Sequence, residues 1–299
     1  MYFPYFRGRQ NELLALREMV NNDALSEMII PIIEPVTLSS TFLSTIELFI
    51  EKQRKIGIIY NPSVGSLCSK NLLNTNESER LTKILNSPCI LNSVLVDGKN
   101  IVAKCNYDIA ILKNKDNLDK YLSLEEKNNI KYVLIPDEST FRRKIKYKAI
   151  LHQDQFTKAG KNSDYSKNDD EFYSDDIFYY KWENYLGFGD YSIVGDDFST
   201  SGFAPYAIAI HIVYFSNSNK ELRVHHFVSD SNNGIENPAK KYYEAVKKVA
   251  QWVDDNNIEK TSGLSFFINS YKKQTYHGLG IIKKYSIMHH LEIISNYFG

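Results

Sequence analysis

Short apolar runs recur along the first two thirds of the chain, and segments of helical length separate most of them. The run over 28–36 has no polar side chain before Glu34, which is typical of a strand that is buried on both sides of a parallel sheet. Eight runs have the length and composition of strands: residues 2–6, 28–36, 55–60, 89–96, 107–112, 131–135, 148–151 and 191–194. The pattern therefore predicts eight parallel strands.

The segments between these runs carry apolar residues at spacings of three and four, which predicts amphipathic helices. Helices are expected over 10–20, 42–50, 77–85 and 118–127 and from about residue 141, with Ser39–Thr41 as the cap of the second helix. Alternating strands and helices predict an α/β fold of the (βα)8 TIM-barrel-like type with irregular later units. An open doubly wound sheet is the alternative that periodicity leaves open.

Two connections fit the barrel poorly. Residues 98–106 are barely long enough for a crossover helix, and the polar stretch 159–176 has the composition of a loop. Gly187 and Gly189 are too few and wrongly placed for a dinucleotide-binding fingerprint, so we expect them to form a bend with positive φ.

The last third of the chain has a different pattern. Residues 207–215 and 222–228 predict a β-hairpin, and long helices are predicted over 238–254, with Asn237 as its cap, and over 281–297. We therefore predict a barrel core over 1–198 and a hairpin and helical extension over 199–299 that packs on the barrel.

Composition narrows the class of protein. A hydrophobic fraction of 43% excludes global disorder, and 36 basic against 36 acidic residues leave no overall field that would attract nucleic acid or an anionic membrane. A local contact with a phosphate backbone is predicted at Arg142, Arg143, Lys144 and Lys146, although a solvated helix face explains the same run. Three scattered cysteines, with no signal peptide and no apolar span of membrane length, predict a cytoplasmic protein without membrane contact.

Candidate chemistry follows from the ends of the predicted strands, because barrel active sites lie at the carboxyl ends. We predict catalytic roles for His152, Asp154, Asp137 and Arg7. Glu34, Asp154 and Asp196 form the candidate metal site, since Mg²⁺ or Mn²⁺ prefers oxygen ligands and would serve phosphoester hydrolysis. The alternative for each residue is a structural role in a helix cap or turn.

Three stretches resemble an uncharacterised bacterial family known as the beta family proteins. They are residues 1–10 (MYFPYFRGRQ), 187–196 (GFGDYSIVGD) and 279–292 (LGIIKKYSIMHHLE). The resemblance implies a barrel-like fold, an anti-phage defence gene neighbourhood and often a nuclease-like companion protein. It supplies no catalytic residues.

Three functions follow as hypotheses. The first is a defence component with a metal-dependent phosphodiesterase-like or nuclease-like barrel. The second is a non-catalytic recognition or scaffold subunit that binds a nuclease partner or a phage product. The third is a metabolic barrel enzyme that acts on a small phosphorylated or carboxylated substrate.

Overall fold

A computed structural model describes residues 1–68, 72, 79–97, 106–199, 204–216 and 220–299. Contacts divide the chain into two compact units. The first unit comprises Met1–Asn21, Ser26–Asp154 and Asp176–Tyr191, and the second comprises Asn22–Leu25, Gln155–Asp175 and Ser192–Gly299. The polar stretch 155–175 and residues 192–198 therefore group with the later part of the chain, and the predicted division at residue 198 differs from the one observed.

The first unit is an eight-stranded parallel barrel, as the alternating pattern predicts. Neighbouring strands pair in chain order, and a parallel bridge between Tyr2 and Phe188 joins the last strand to the first. With strands numbered along the chain, the barrel contains β1 (Tyr5–Phe6), β2 (Ile32–Ile33), β3 (Ile56–Ile59), β4 (Ile90–Leu95), β5 (Ile109–Ile111), β6 (Tyr132–Ile135), β7 (Ala149–His152) and β9 (Gly187–Gly189).

Helices follow most of these strands. They are α1 (Gln10–Asn21), α2 (Ser40–Glu51), α3 (Glu79–Leu85), α4 (Lys115–Ser123), α5 (Ser139–Lys144) and α6 (Asp176–Tyr179). The Ser39 hydroxyl accepts a hydrogen bond from the backbone N–H of Phe42, which confirms the predicted cap of α2. Residues 98–105, most of the weakest predicted connection, lie outside the described residues.

Alternate positions on the strands fill the barrel interior, because side chains of one strand point to opposite faces in turn. The resulting core comprises Phe3, Tyr5, Ile30, Ile32, Ile59, Leu91, Leu95, Ile109, Ile111, Leu134, Ile150 and Tyr191. Each such side chain contributes about 1.5–3 kcal/mol when it is fully buried. Both faces of each barrel strand are therefore covered, which explains why the apolar runs are continuous in sequence.

The eighth barrel strand was predicted in the wrong place. Residues 192–194 form a 3-10 turn, and the strand that closes the barrel is β9, a few residues earlier. Neither Gly187 nor Gly189 has a positive φ, so the predicted bend is also wrong. A Cβ at Gly189 would overlap the carbonyl oxygen of Phe3, and one at Gly187 would meet that of Met1. The glycines let β9 approach the backbone of the N-terminal residues closely.

In the residues that the structure describes, the second unit contains an antiparallel sheet and three α-helices. Its strands are β8 (Asp170–Ser174), β10 (Ala209–Phe215) and β11 (Leu222–Val228), in the order β10-β11-β8. The β10–β11 pairing confirms the predicted hairpin strands, while residues 217–219 of the turn lie outside the described residues. Strand β8 and a 3-10 helix over Asn162–Lys167 occupy the stretch predicted to be a loop.

The helices of this unit are α7 (Pro238–Asp255), α8 (Ser262–Lys273) and α9 (Leu279–Phe298). Helices α7 and α9 match the prediction, but the Asn237 side chain makes no capping hydrogen bond. Their apolar faces share one core with β10, which includes Ile210, Ile212, Val246 and Phe267. Across the described part of the chain, every helix is too short or too polar to cross a bilayer.

Candidate functional site

Two tyrosine rings and a histidine form a cluster at the carboxyl ends of the barrel strands. Tyr5 lies on β1, His152 ends β7, and Tyr191 follows β9. The ring centroids of Tyr5 and Tyr191 are 4.9 Å apart, and that of His152 lies 5.8 Å from Tyr5 and 4.8 Å from Tyr191. We call these three side chains the aromatic cluster.

Two cations lie over the same tyrosine rings. The Arg7 guanidinium carbon is 5.1 Å from the Tyr5 centroid and 5.8 Å from the Tyr191 centroid. The Lys113 ammonium, which follows β5, is 6.0 Å from Tyr5 and 5.4 Å from Tyr191. Both positions are within reach of a cation–π attraction. Strands from opposite parts of the barrel therefore deliver positive charge to one place.

A buried carboxylate balances Arg7. Glu34 follows β2, is completely buried, and forms a salt bridge with Arg7. Its Oε2 also accepts the Tyr5 hydroxyl proton at 2.6 Å, and its Oε1 accepts the backbone N–H of Ser63 at 2.6 Å and the Ser63 hydroxyl at 2.7 Å. A buried charge is tolerated when it is paired and hydrogen-bonded in this way.

These contacts bear on the predicted metal site. The hydrogen bonds and the salt bridge occupy both Glu34 oxygens. Among the described residues, no group of three or more His, Cys, Asp or Glu side chains is arranged to hold a metal ion. The structure thus offers no support for an ion at Glu34, Asp154 and Asp196.

The predicted catalytic residues have different surroundings. Arg7 and His152 lie at the carboxyl ends of the barrel strands, together with Glu34, Lys113 and the two tyrosines of the aromatic cluster. We call this end of the barrel the barrel mouth. His152 is only 8% exposed. Asp154 lies two residues beyond the end of β7 and is exposed. Asp137 forms a salt bridge with Arg142 at the surface. The strand-end rule therefore brings together Arg7, Glu34 and His152 but leaves Asp137 in a local ion pair.

Two further polar strand-end residues have structural roles. The Asn61 side chain donates to the Leu95 carbonyl and accepts from the Leu95 N–H, so it extends the pairing of β3 and β4. Asp190 accepts the hydroxyl proton of Tyr2 at 2.6 Å. Burial and that carboxylate raise the pKa of Tyr2 well above its ordinary value, so the phenol stays a donor.

Comparison of the chain with family models, curated proteins and solved structures finds no match.

Sequence reasoning missed Tyr5 and Tyr191 as site residues because it searched strand ends for charged groups. Their signal was present, since Tyr5 precedes Arg7 by two residues and thus shares its side of the chain. Lys113 follows the predicted strand over 107–112, and no role was predicted for it. Its proximity to Arg7 depends on the closure of the barrel, which no local pattern specifies.

Proposed function

We propose that the barrel mouth binds a small anionic substrate, phosphorylated or carboxylated, and that His152 acts there as an acid–base group. The observation that carries this proposal is the convergence of Lys113 and Arg7 on the Tyr5–Tyr191 pair. Cationic side chains beside aromatic rings at the carboxyl ends of barrel strands favour an anionic ligand over a cationic one.

The position of the cluster adds support. Active sites of barrel enzymes lie at the carboxyl ends of the strands, where β1, β7 and β9 deliver the aromatic cluster. Histidine is the common general acid or base because its ordinary pKa lies near physiological pH. His152 is held by ring contacts on two sides, which would keep its orientation constant during proton transfer.

Calorimetric titration tests the binding step. Inorganic phosphate and pyruvate are titrated into the full chain, into a Lys113→Gln variant and into a Lys115→Gln variant. Lys115 begins α4, so the control removes the same charge two residues further along. We expect the Lys113 change to weaken binding about tenfold or more and the Lys115 change to have little effect. Failure of the unmodified chain to bind either anion, or equal effects of the two variants, would contradict the proposal.

Nucleic-acid binding is a second candidate function, favoured by a groove in the first unit. Arg142, Lys146 and Tyr147 line this groove of about 660 Å³ together with residues 183–186. Tyr147 is 86% exposed with a φ of 63°, and Trp182, adjacent to the lining segment, is 85% exposed. Exposed aromatic rings beside basic side chains suit the stacking of bases and the contact with phosphates in a single strand.

Fluorescence anisotropy with a labelled oligothymidylate tests this second function. Changing Arg142 and Lys146 to Gln together should weaken binding and reduce its salt dependence, because fewer counterions are released. The matched control changes Lys272 and Lys273 to Gln, which are exposed at the end of α8. Equal binding by both double variants would remove this candidate.

A role in anti-phage defence with a nuclease-like companion, expected from the family resemblance, stays a prediction. A plaque assay tests it. Loss of protection in His152→Ala, with the fold intact, would connect defence to the barrel mouth.

A further inference from the structure

A separate cavity of about 290 Å³ lies within the second unit, where helix α9 packs on strand β10. Spacings of three and four place Ile282, Lys283 and Ser286 on one face of α9, and alternation places His211 on the facing side of β10. The remaining wall is largely apolar and includes Ile208. The cavity therefore combines an apolar body with four polar side chains, those of Asn162, His211, Lys283 and Ser286.

Ser286 lines this cavity and has a buried hydroxyl. The residue is 1% exposed, and its hydroxyl has no hydrogen-bond partner in the described part of the chain. A helical serine usually donates to the carbonyl four residues earlier, which would satisfy it locally. A buried hydroxyl without a partner is costly, so a ligand that accepts this hydrogen bond would stabilise the unit.

A chain of hydrogen bonds determines which nitrogen of His211 carries a proton. The Glu171 carboxylate lies 3.4 Å from Nε2 of His226, and Nδ1 of His226 lies 2.8 Å from Nδ1 of His211. The carboxylate can only accept, so His226 is protonated at Nε2. In neutral His226 the Nδ1 atom is then an acceptor, and His211 must donate from its own Nδ1.

The Nε2 atom of His211 is therefore left with a free lone pair. Burial, with smaller contributions from His226 and Lys283, lowers the pKa of His211 well below its ordinary value. The ring thus stays neutral at physiological pH. Tyr165 packs against both imidazoles, with centroids at 4.6 and 4.7 Å, and holds the pair in place.

We propose that this cavity is a second ligand site, which binds a small hydroxy monocarboxylate with an apolar body. The ligand carboxylate pairs with Lys283 and accepts the Ser286 hydroxyl proton, and the ligand hydroxyl donates to Nε2 of His211. The Lys283 ammonium can donate to a carboxylate, and the apolar wall matches a branched hydrocarbon group. The site is independent of the anion site proposed at the barrel mouth.

Calorimetric titration of the full chain with 2-hydroxy-3-methylbutanoate tests this site, with the corresponding neutral amide as the matched ligand. We expect the acid to bind and the amide to bind about tenfold more weakly or worse. Lys283→Gln should weaken binding of the acid by a similar factor, whereas Lys273→Gln, an exposed change on α8, should leave it unchanged. No binding of the acid, or equal binding by both variants, overturns the proposal.

Three further measurements separate this site from the barrel mouth, test for misfolding and check the protonation of His211. If Lys113→Gln rather than Lys283→Gln abolishes binding of the acid, the ligand lies at the barrel mouth and the proposal fails here. Ser286→Ala should reduce affinity without lowering the melting temperature, because the deleted hydroxyl has no internal partner. Nitrogen-15 NMR should find Nε2 of His211 unprotonated, and a protonated Nε2 would also overturn the assignment.

Discussion

Removal of the Glu34 carboxylate should be among the most destabilising single changes in the barrel. Glu34→Ala deletes the partner of Arg7, whose side chain is 6% exposed while that of Glu34 is 0% exposed. The guanidinium would then remain buried without its counter-charge. The change also removes the acceptor for the Tyr5 hydroxyl and for two donors of Ser63.

The expected magnitude follows from the burial of the pair. Removing one member of a buried ion pair typically costs about 3–5 kcal/mol, because the remaining charge is left uncompensated. That loss is a large fraction of the ~5–15 kcal/mol by which a typical domain is stable. The barrel should therefore unfold at a clearly lower urea concentration.

Urea unfolding of the full chain, followed by far-ultraviolet circular dichroism, measures the effect. The matched control is Glu47→Ala, which breaks an Arg–Glu pair with Arg80 whose side chains are 42% and 48% exposed. Solvent screens this surface pair, so its loss should shift the midpoint much less. The chemistry of the two changes is identical and only the burial differs.

A double variant completes the test. Arg7→Met combined with Glu34→Leu removes both charges, and it should cost less than the sum of the two single changes because no buried charge is left unpaired. Additive costs, or a Glu34→Ala midpoint no lower than that of Glu47→Ala, would refute the view that desolvated charge pairing holds the barrel mouth together.

Three other predictions concern packing and pH. Gly189→Ala should destabilise the barrel by about 1–3 kcal/mol, since the added Cβ would overlap the backbone of Phe3. In the control Gly160→Ala, the added Cβ would have no neighbouring atom closer than 3.9 Å, so this change should be nearly neutral in the same urea titration. Burial lowers the pKa of His289 and His290 from 6.5 to about 3, so the unfolded chain binds more protons below pH 6.5. The free energy of unfolding should then fall with decreasing pH between 6.5 and 3, by at most about 1.4 kcal/mol for each pH unit and each of the two histidines. Equal urea midpoints at neutral and mildly acidic pH would contradict this expectation. Burial acts to raise the pKa of Asp170, but hydrogen bonds from three neighbouring side chains outweigh burial and bring the pKa below its ordinary 3.8. The contribution of the Asp170 carboxylate to the stability of the fold is therefore lost as pH falls through the lowered pKa. Asp170→Asn should abolish that part of the acid sensitivity in thermal melts.

The fold class was predictable from local pattern. Continuous apolar runs predicted parallel strands, because only a strand covered on both faces can lack a polar side. Helices α1 and α2, with the Ser39 cap, followed from the spacing of apolar residues and from one hydroxyl that accepts a backbone hydrogen bond. These features depend on neighbours in sequence, so no tertiary information was needed.

Elements that depend on distant partners were misplaced. Strand β9 contains only Gly187–Gly189 and has a single large side chain, so its strand character comes from pairing with β7 and with the N-terminal residues. Strand β8 is polar and exists because β11 supplies its hydrogen bonds. Helix α8 was missed because small and polar residues interrupt its apolar pattern. One of these small residues, Gly263, is needed for close packing, since a Cβ there would overlap the backbone of α9.

The sequence by itself determined which polar residues follow strands, because that is a local property of turns and caps. Only the tertiary structure decided that Arg7, Glu34 and His152 meet around Tyr5 while Asp137 pairs with nearby Arg142. The physical reason is that barrel closure and sheet register set distances between residues far apart in the chain. A site built from such residues is specified by the packing of the whole unit, not by any segment of it.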